Sequence, residues 1–368
     1  MSVATRLAVT LALNAAGCVP LEDLSSYRSA GADVTPAVPP LASPVGADAA
    51  VASDAPLAAS GASRALDDGA ADVAPDAGAA LDAGGAPPAR LDGLAPDAAM
   101  LASTSLPGAL IGESRHTLGV SGSERSFIYY APPTLDPNVP APALIVAHGF
   151  EETASDMVAI TGYDAIAERE GFVVLYPEGQ GLIPWNIGEG VCQGGARPVS
   201  SASGDDSAFV DAMLAFVALD RAIDSEHVFM SGLSSGGYLA SDLACRRRDI
   251  RAVVAHSGGS HALDACLGAN KPVLLLHGAN DAAVPATCSA EARDRWAEHN
   301  GCAGDAIAFD VLGGACELSP CPADGQVARC TFEGMGRGWA GGSAQAASFL
   351  DFESASELSW LFFETFAW

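Results

Sequence analysis

The chain has 368 residues, is 49% hydrophobic and carries a formal net charge of −27, with Lys271 its only lysine. That length fits one large domain or two small ones, and that apolar content lets at least part of the chain bury a core. The acidity excludes a phosphate-backbone binder, which needs a basic surface, so no nucleic-acid partner is expected.

The N-terminus reads "MSVATRLAVTLALNAAGCVP". One arginine precedes an apolar run that is too short to cross a bilayer as a mature helix and fits an export signal over residues 1–18. The "AAGC" ending at Cys18 is lipobox-like, with Ala15 standing where Leu is usual. It leads to the expectation of a secreted protein or a bacterial cell-surface lipoprotein, whose one membrane partner would be a lipid on Cys18. From 19 to 107 the chain is Ala, Asp, Pro and Gly with little else. Such a segment buries too little apolar area to offset its ordering entropy, so it reads as a disordered tether.

Residues 108–368 read as the folded domain. "RSFIYYAPP" and "PALIVAHGF" are strands, "ASDMVAITGYDAIAERE" has helical spacing, "GFVVLYPEG" is a strand, and "DDSAFVDAMLAFVALDRAI" is an apolar helix opened by Asp205 and Asp206. Strand "HVFMSG", helix "GGYLASDLACRRR", strands "IRAVVAHSGG" and "KPVLLLHGAND", helix "SAEARDRWAEHNG", strand "QVARCTFEG" and a last helix over 344–366 follow. Buried strands alternating with helices predict an α/β fold, a mostly parallel sheet covered by helices on both faces.

"GLSSGG" is a G-x-S-x-G motif set between a strand and a helix, the context of a nucleophile elbow, with Ser234 as candidate nucleophile. "ALIVAHGF" ends a strand in a sharp turn. Its Phe150 N–H, together with that of Ser235, is the candidate oxyanion donor pair, and His148 supports the turn. In "LLLHGANDAAVP", Asp281 follows a buried strand and is the candidate acid, in the chain order Ser, acid, His of the α/β-hydrolase fold; His277 reads as structural.

The segments "AHGFEETASDMVAITGYDAIAEREGFVVLYPEG", "DDSAFVDAM", "GLSSGGYLA", "PVLLLHGANDAAVP" and "RWAEHNGC" resemble, in the right order, the secreted polyhydroxybutyrate-depolymerase and feruloyl/acetylxylan-esterase family of α/β-hydrolases. The resemblance covers about residues 110–368. It implies a serine carboxylic-ester hydrolase acting on an ester-bearing polysaccharide or polyester, without metal or cofactor. In that family the loop after the last strand reads G-G-G-H-x-W-P-G, and its His is the base. Here Gly334, Met335, Gly336, Arg337, Gly338, Trp339, Ala340 and Gly341 take those places, so Arg337 occupies the position of the catalytic base. Arginine stays protonated and has no acceptor lone pair, so it cannot take a proton from Ser234. It could instead pair bidentately with Asp281. His256 and His261 are the candidate substitute bases, and the alternative function is an inactive relative that binds polysaccharide or polyester. Trp185 and Trp339 either stack on a sugar or aromatic acid or pack a long loop.

Setting Cys18 aside, eight cysteines remain, an even number that suits an exported domain. No spacing suggests a zinc site. Cys245 with Cys266, Cys316 with Cys321 and Cys302 with Cys330 are the expected bridges.

Overall fold

A computed structural model describes residues 109–366 apart from 182–183, 188–191, 193–204, 261–262, 264–265, 267–269, 323, 344 and 346. The export signal, Cys18, the tether and His261 lie outside the described residues.

Ten strands form one sheet: β1 (Gly112–Val120), β2 (Ser123–Ala131), β3 (Ala141–Ala147), β4 (Val173–Pro177), β5 (Ile223–Leu233), β6 (Ile250–His256), β7 (Val273–Gly278), β8 (Ile307–Val311), β9 (Gly314–Ser319) and β10 (Val327–Phe332). Their order is β1-β2-β4-β3-β5-β6-β7-β10-β9-β8. The run from β4 to β10 is parallel, and antiparallel pairs flank it on both sides. Strand β3 shows why the centre is parallel and continuous in hydrophobicity. All seven residues are buried, with Leu144 and Val146 feeding one core and Ala143, Ile145 and Ala147 the other.

Among the described residues, six helices cover the two faces. Helices α1 (Ala154–Thr161), α2 (Tyr163–Glu170) and α6 (Ala355–Glu364) pack Met157, Tyr163 and Trp360 into the first core. Helices α3 (Asp206–Asp220), α4 (Ser235–Arg246) and α5 (Thr287–His299) pack Phe209, Leu239 and Trp296 into the second.

The structure corrects the sequence reading in three places. The helix expected over 154–170 is two helices, because Gly162 sits at φ 62 and its N–H closes on Val158 O, ending α1. The helix expected over 344–366 is a 3₁₀ turn (Ala347–Asp351) followed by α6, which restarts where the Ser354 hydroxyl accepts from Glu357 N. Strand β1 and the β8–β9 hairpin were unassigned. Both alternate half-buried with exposed or polar positions and lack the apolar run that marks the central strands.

The disulfides are Cys192–Cys288, Cys245–Cys266, Cys302–Cys321 and Cys316–Cys330. Cys245–Cys266 is as expected from sequence. The other two expected bridges exchange partners, because Cys316 on β9 stands directly opposite Cys330 in the antiparallel register of β10. Peptide mapping without reduction should recover Cys316 linked to Cys330 and Cys302 linked to Cys321. Replacing Cys316 and Cys330 together by Ala should lower unfolding stability by about 3 kcal/mol in a urea titration.

Candidate active site

Ser234 ends β5 and opens α4 with φ 54 and ψ −115, a conformation that costs a non-glycine residue on the order of 1–3 kcal/mol. Its neighbours make the turn sterically feasible. A Cβ on Gly232 would penetrate the Gly236 carbonyl, and one on Gly236 would penetrate the carbonyl of Ala147 on β3. The Ser234 N–H donates to His256 O at 2.8 Å, fixing the turn against β6. The Ser234 hydroxyl makes no hydrogen bond among the described residues. Ser235 is the first residue of α4, so its N–H has no intrahelical acceptor.

The turn after β3 is held by His148. Its Nδ1–H donates to Gly149 O at 2.7 Å, and its Nε2 accepts from Gly179 N at 2.9 Å, which defines one neutral tautomer. Trp185 donates its indole N–H to His148 O at 2.7 Å and is 1% exposed, so it packs the turn and offers no face for stacking. The N–H of Phe150, next in the chain, makes no hydrogen bond among the described residues.

Asp281 lies buried beyond β7. Its Oδ1 accepts from Ala283 N and Val284 N, each at 2.9 Å, whereas Oδ2 is buried with no partner among the described residues. His277 Nε2 lies 3.6 Å from Oδ2 but donates to Val284 O at 2.8 Å. Burial alone would raise the Asp281 pKa. The nearby His277 ring and the two N–H groups outweigh it and hold the carboxyl below its ordinary value.

The Arg337 loop is sewn to this acid loop: Ala279 N donates to Phe332 O at 2.9 Å and Asn280 N to Met335 O at 2.8 Å. On its other side Ala340 N donates to His256 Nε2 at 3.1 Å. Trp339 is 1% exposed and donates its indole N–H to Ser356 Oγ at 2.9 Å, so it too is core rather than a binding surface.

Arg337 does not pair with Asp281, as the sequence reading allowed. Its Nη2 donates to Phe150 O at 3.1 Å and to Glu152 at 3.2 Å. The side chain lands on the turn after β3. Glu152 was not singled out from sequence; "HGFEE" has no pattern that marks one glutamate as the partner of a residue 185 positions away. Burial raises the Glu152 pKa, and the Arg337 charge offsets part of that rise.

His256 cannot replace the base as placed. Both ring nitrogens are engaged, with Ala340 N on Nε2 and Ser257 Oγ on Nδ1, and the side chain is fully buried. Among the described residues no three His, Cys, Asp or Glu side chains cluster to hold a metal ion.

A mostly parallel sheet with helices on both faces, a G-x-S-x-G elbow after β5 and an acid after β7 define an α/β-hydrolase. Residues 125–270 match the model of the esterase PHB depolymerase family, and over that stretch the resemblance drawn from the motifs is shown. A probable feruloyl esterase C of Aspergillus niger is 34% identical over 136 residues, 34% of this chain and 50% of that protein. Feruloyl esterase D of Neurospora crassa is 29% identical over 193 residues, 50% of this chain and 63% of that protein. A bifunctional acetylxylan esterase/xylanase of Neocallimastix patriciarum is 28% identical over 162 residues, 44% of this chain and 22% of that protein. The chain thus spans 50–63% of the two feruloyl esterases. The solved acetyl xylan esterase from Aspergillus awamori superposes with a TM-score of 0.52 at 15% identity, covering 68% of this chain and 99% of that one, a likeness of fold.

Two outcomes follow from this geometry. Gly236→Ala should cost about 2–3 kcal/mol or more in a urea titration, because the rigid Ala147 carbonyl blocks the new methyl. Burial drives the His256 pKa from 6.5 down to about 3, with the nearby His277 adding to the fall. Between those values the unfolded chain binds a proton that the folded one refuses, so stability is full above about 6.5 and falls as pH drops toward about 3. The urea midpoint of His256→Gln should therefore change less with pH over this window than that of the wild type.

Proposed function

We propose that residues 108–368 form an exported carboxylic-ester hydrolase of the feruloyl and acetylxylan esterase kind, acting slowly on an ester-bearing polysaccharide or polyester. Ser234 is the nucleophile, Asp281 the acid of the triad, and the N–H groups of Phe150 and Ser235 the oxyanion hole. The observation that carries this reading is the Ser234 turn, held in a strained conformation by backbone contacts that glycine alone permits. Four disulfides support an oxidising destination, as does the export signal of residues 1–18. The tether of 19–107 then holds the domain off the membrane when Cys18 carries a lipid.

In the reaction Ser234 Oγ bonds to the ester carbonyl carbon, and the π electrons move to the oxygen facing the two N–H donors. Collapse of the adduct breaks the bond to the alcohol oxygen. Water then attacks the acyl-Ser234 ester and releases the acid. A histidine would carry the serine proton to the leaving alcohol. Here Arg337 cannot accept it, so the proton passes to water or hydroxide, and the leaving alcohol and, after deacylation, the Ser234 oxygen each take a proton from water. Loss of a triad base slows turnover by about 10⁴ to 10⁶, while oxyanion hole and binding retain on the order of 10³ over water.

A second reading, a non-hydrolysing surface protein that binds polysaccharide or polyester, is favoured by the mooring of Arg337 on the oxyanion turn. Hydrolysis of p-nitrophenyl acetate and ethyl ferulate by the full chain, beside Ser234→Ala and Arg337→His, separates the two. The hydrolase reading expects slow turnover that Ser234→Ala abolishes and that Arg337→His raises by about 10² or more. The wild-type rate should climb with pH in proportion to hydroxide, whereas Arg337→His should level off above the histidine pKa of about 6.5. A wild type no faster than Ser234→Ala leaves the binding reading.

A further inference from the structure

We propose that the site holds a free carboxylate, the anion of the acid that ester hydrolysis would release, and that Arg337 is the residue that selects it. The inference rests on the reading of Ser234, Phe150 and Ser235 as an esterase centre and adds the chemical class of ligand that the centre retains.

Three observations lead there. Arg337 brings a permanent cation to the mouth of the oxyanion hole, because its Nη2 is anchored on Phe150 O itself. Its donors are not all spent: Nη1 makes no hydrogen bond among the described residues. The N–H groups of Phe150 and Ser235 are open as well. A neutral ester presents one good acceptor oxygen to this array and no charge. A carboxylate presents two oxygens and a negative charge, which suits a guanidinium beside a pair of N–H donors.

The third observation is that a carboxylate is already drawn in. Glu152 folds back over Gly149, so close that a Cβ there would collide with its Oε2, and its oxygens lie 3.2 and 3.4 Å from Arg337 Nη2. Glu152 acts as an internal competitor for the cation. A soluble carboxylate need not approach Asp281 to reach it, since the charged tip of Arg337 lies at the oxyanion turn and only its backbone is sewn to the acid loop.

Calorimetric titration of the full chain with ferulate and with methyl ferulate tests this. Ferulate should bind saturably and at least about tenfold more tightly than its methyl ester, the margin typical of a hydrogen bond to a charged group. Arg337→Gln should erase that margin, and Glu152→Gln, which removes the competing charge and keeps the side-chain shape, should tighten ferulate several-fold. Equal affinity for acid and ester, ferulate binding unaffected by Arg337→Gln, or weaker ferulate binding in Glu152→Gln would each overturn the proposal. Loss of the hydrolase reading shows in the turnover assay and leaves the titration unchanged. Loss of the carboxylate site shows in the titration while Ser234-dependent turnover persists.

Discussion

Everything at this site depends on one steric fact: three backbones meet where no side chain fits. Gly232 on β5 touches the start of α4, and Gly236 on α4 touches the Ala147 carbonyl on β3. Ser234, between them, is held at positive φ at the start of α4. Ala147 is followed at once by His148, Gly149 and Phe150, so the same contact ties the Ser234 turn to the turn after β3. On the proposed reading, nucleophile and oxyanion donors are thereby fixed to each other without help from a base.

The base loop is equally independent of its side chain. Its path is set by Asn280 N on Met335 O, Ala340 N on His256 Nε2 and the Trp339 indole on Ser356 Oγ, none of which involves the residue at 337 beyond its backbone. The guanidinium arm ends on the turn after β3. What remains is a buried Asp281 Oδ2 without a partner, a deficit of about 1–3 kcal/mol that the half-exposed Arg337–Glu152 pair, worth at most about 1 kcal/mol, does not offset.

Legibility in the sequence followed the range of the interaction. The central strands and the Ser234 turn are written in short stretches: apolar runs and a pair of glycines around a serine. Strand β1 and the β8–β9 hairpin were not, because a half-polar edge strand is recognised by what it pairs with. Cys316 and Cys330 find each other through strand register, which a spacing argument does not contain. Trp185 and Trp339 looked like stacking surfaces because tryptophan in a glycine-rich loop has the same local appearance whether it faces solvent or core. The Glu152 partner of Arg337 is the extreme case, a contact that exists only because β3 and β10 deliver their loops to one edge of the sheet.

The substitution at 337 changes more than the proton route. A histidine base is neutral when ester binds and becomes a cation only as the adduct forms, so its charge favours the transition state over the ground state. Arginine is a cation throughout. On the proposed reading its field would stabilise the tetrahedral oxyanion, and it would stabilise the carboxylate product as well, since each carries one negative charge. Electrostatic help on the way up the barrier would then be matched by attraction that holds the acid afterward, so an esterase centre with this arginine would favour retention of the acid over turnover.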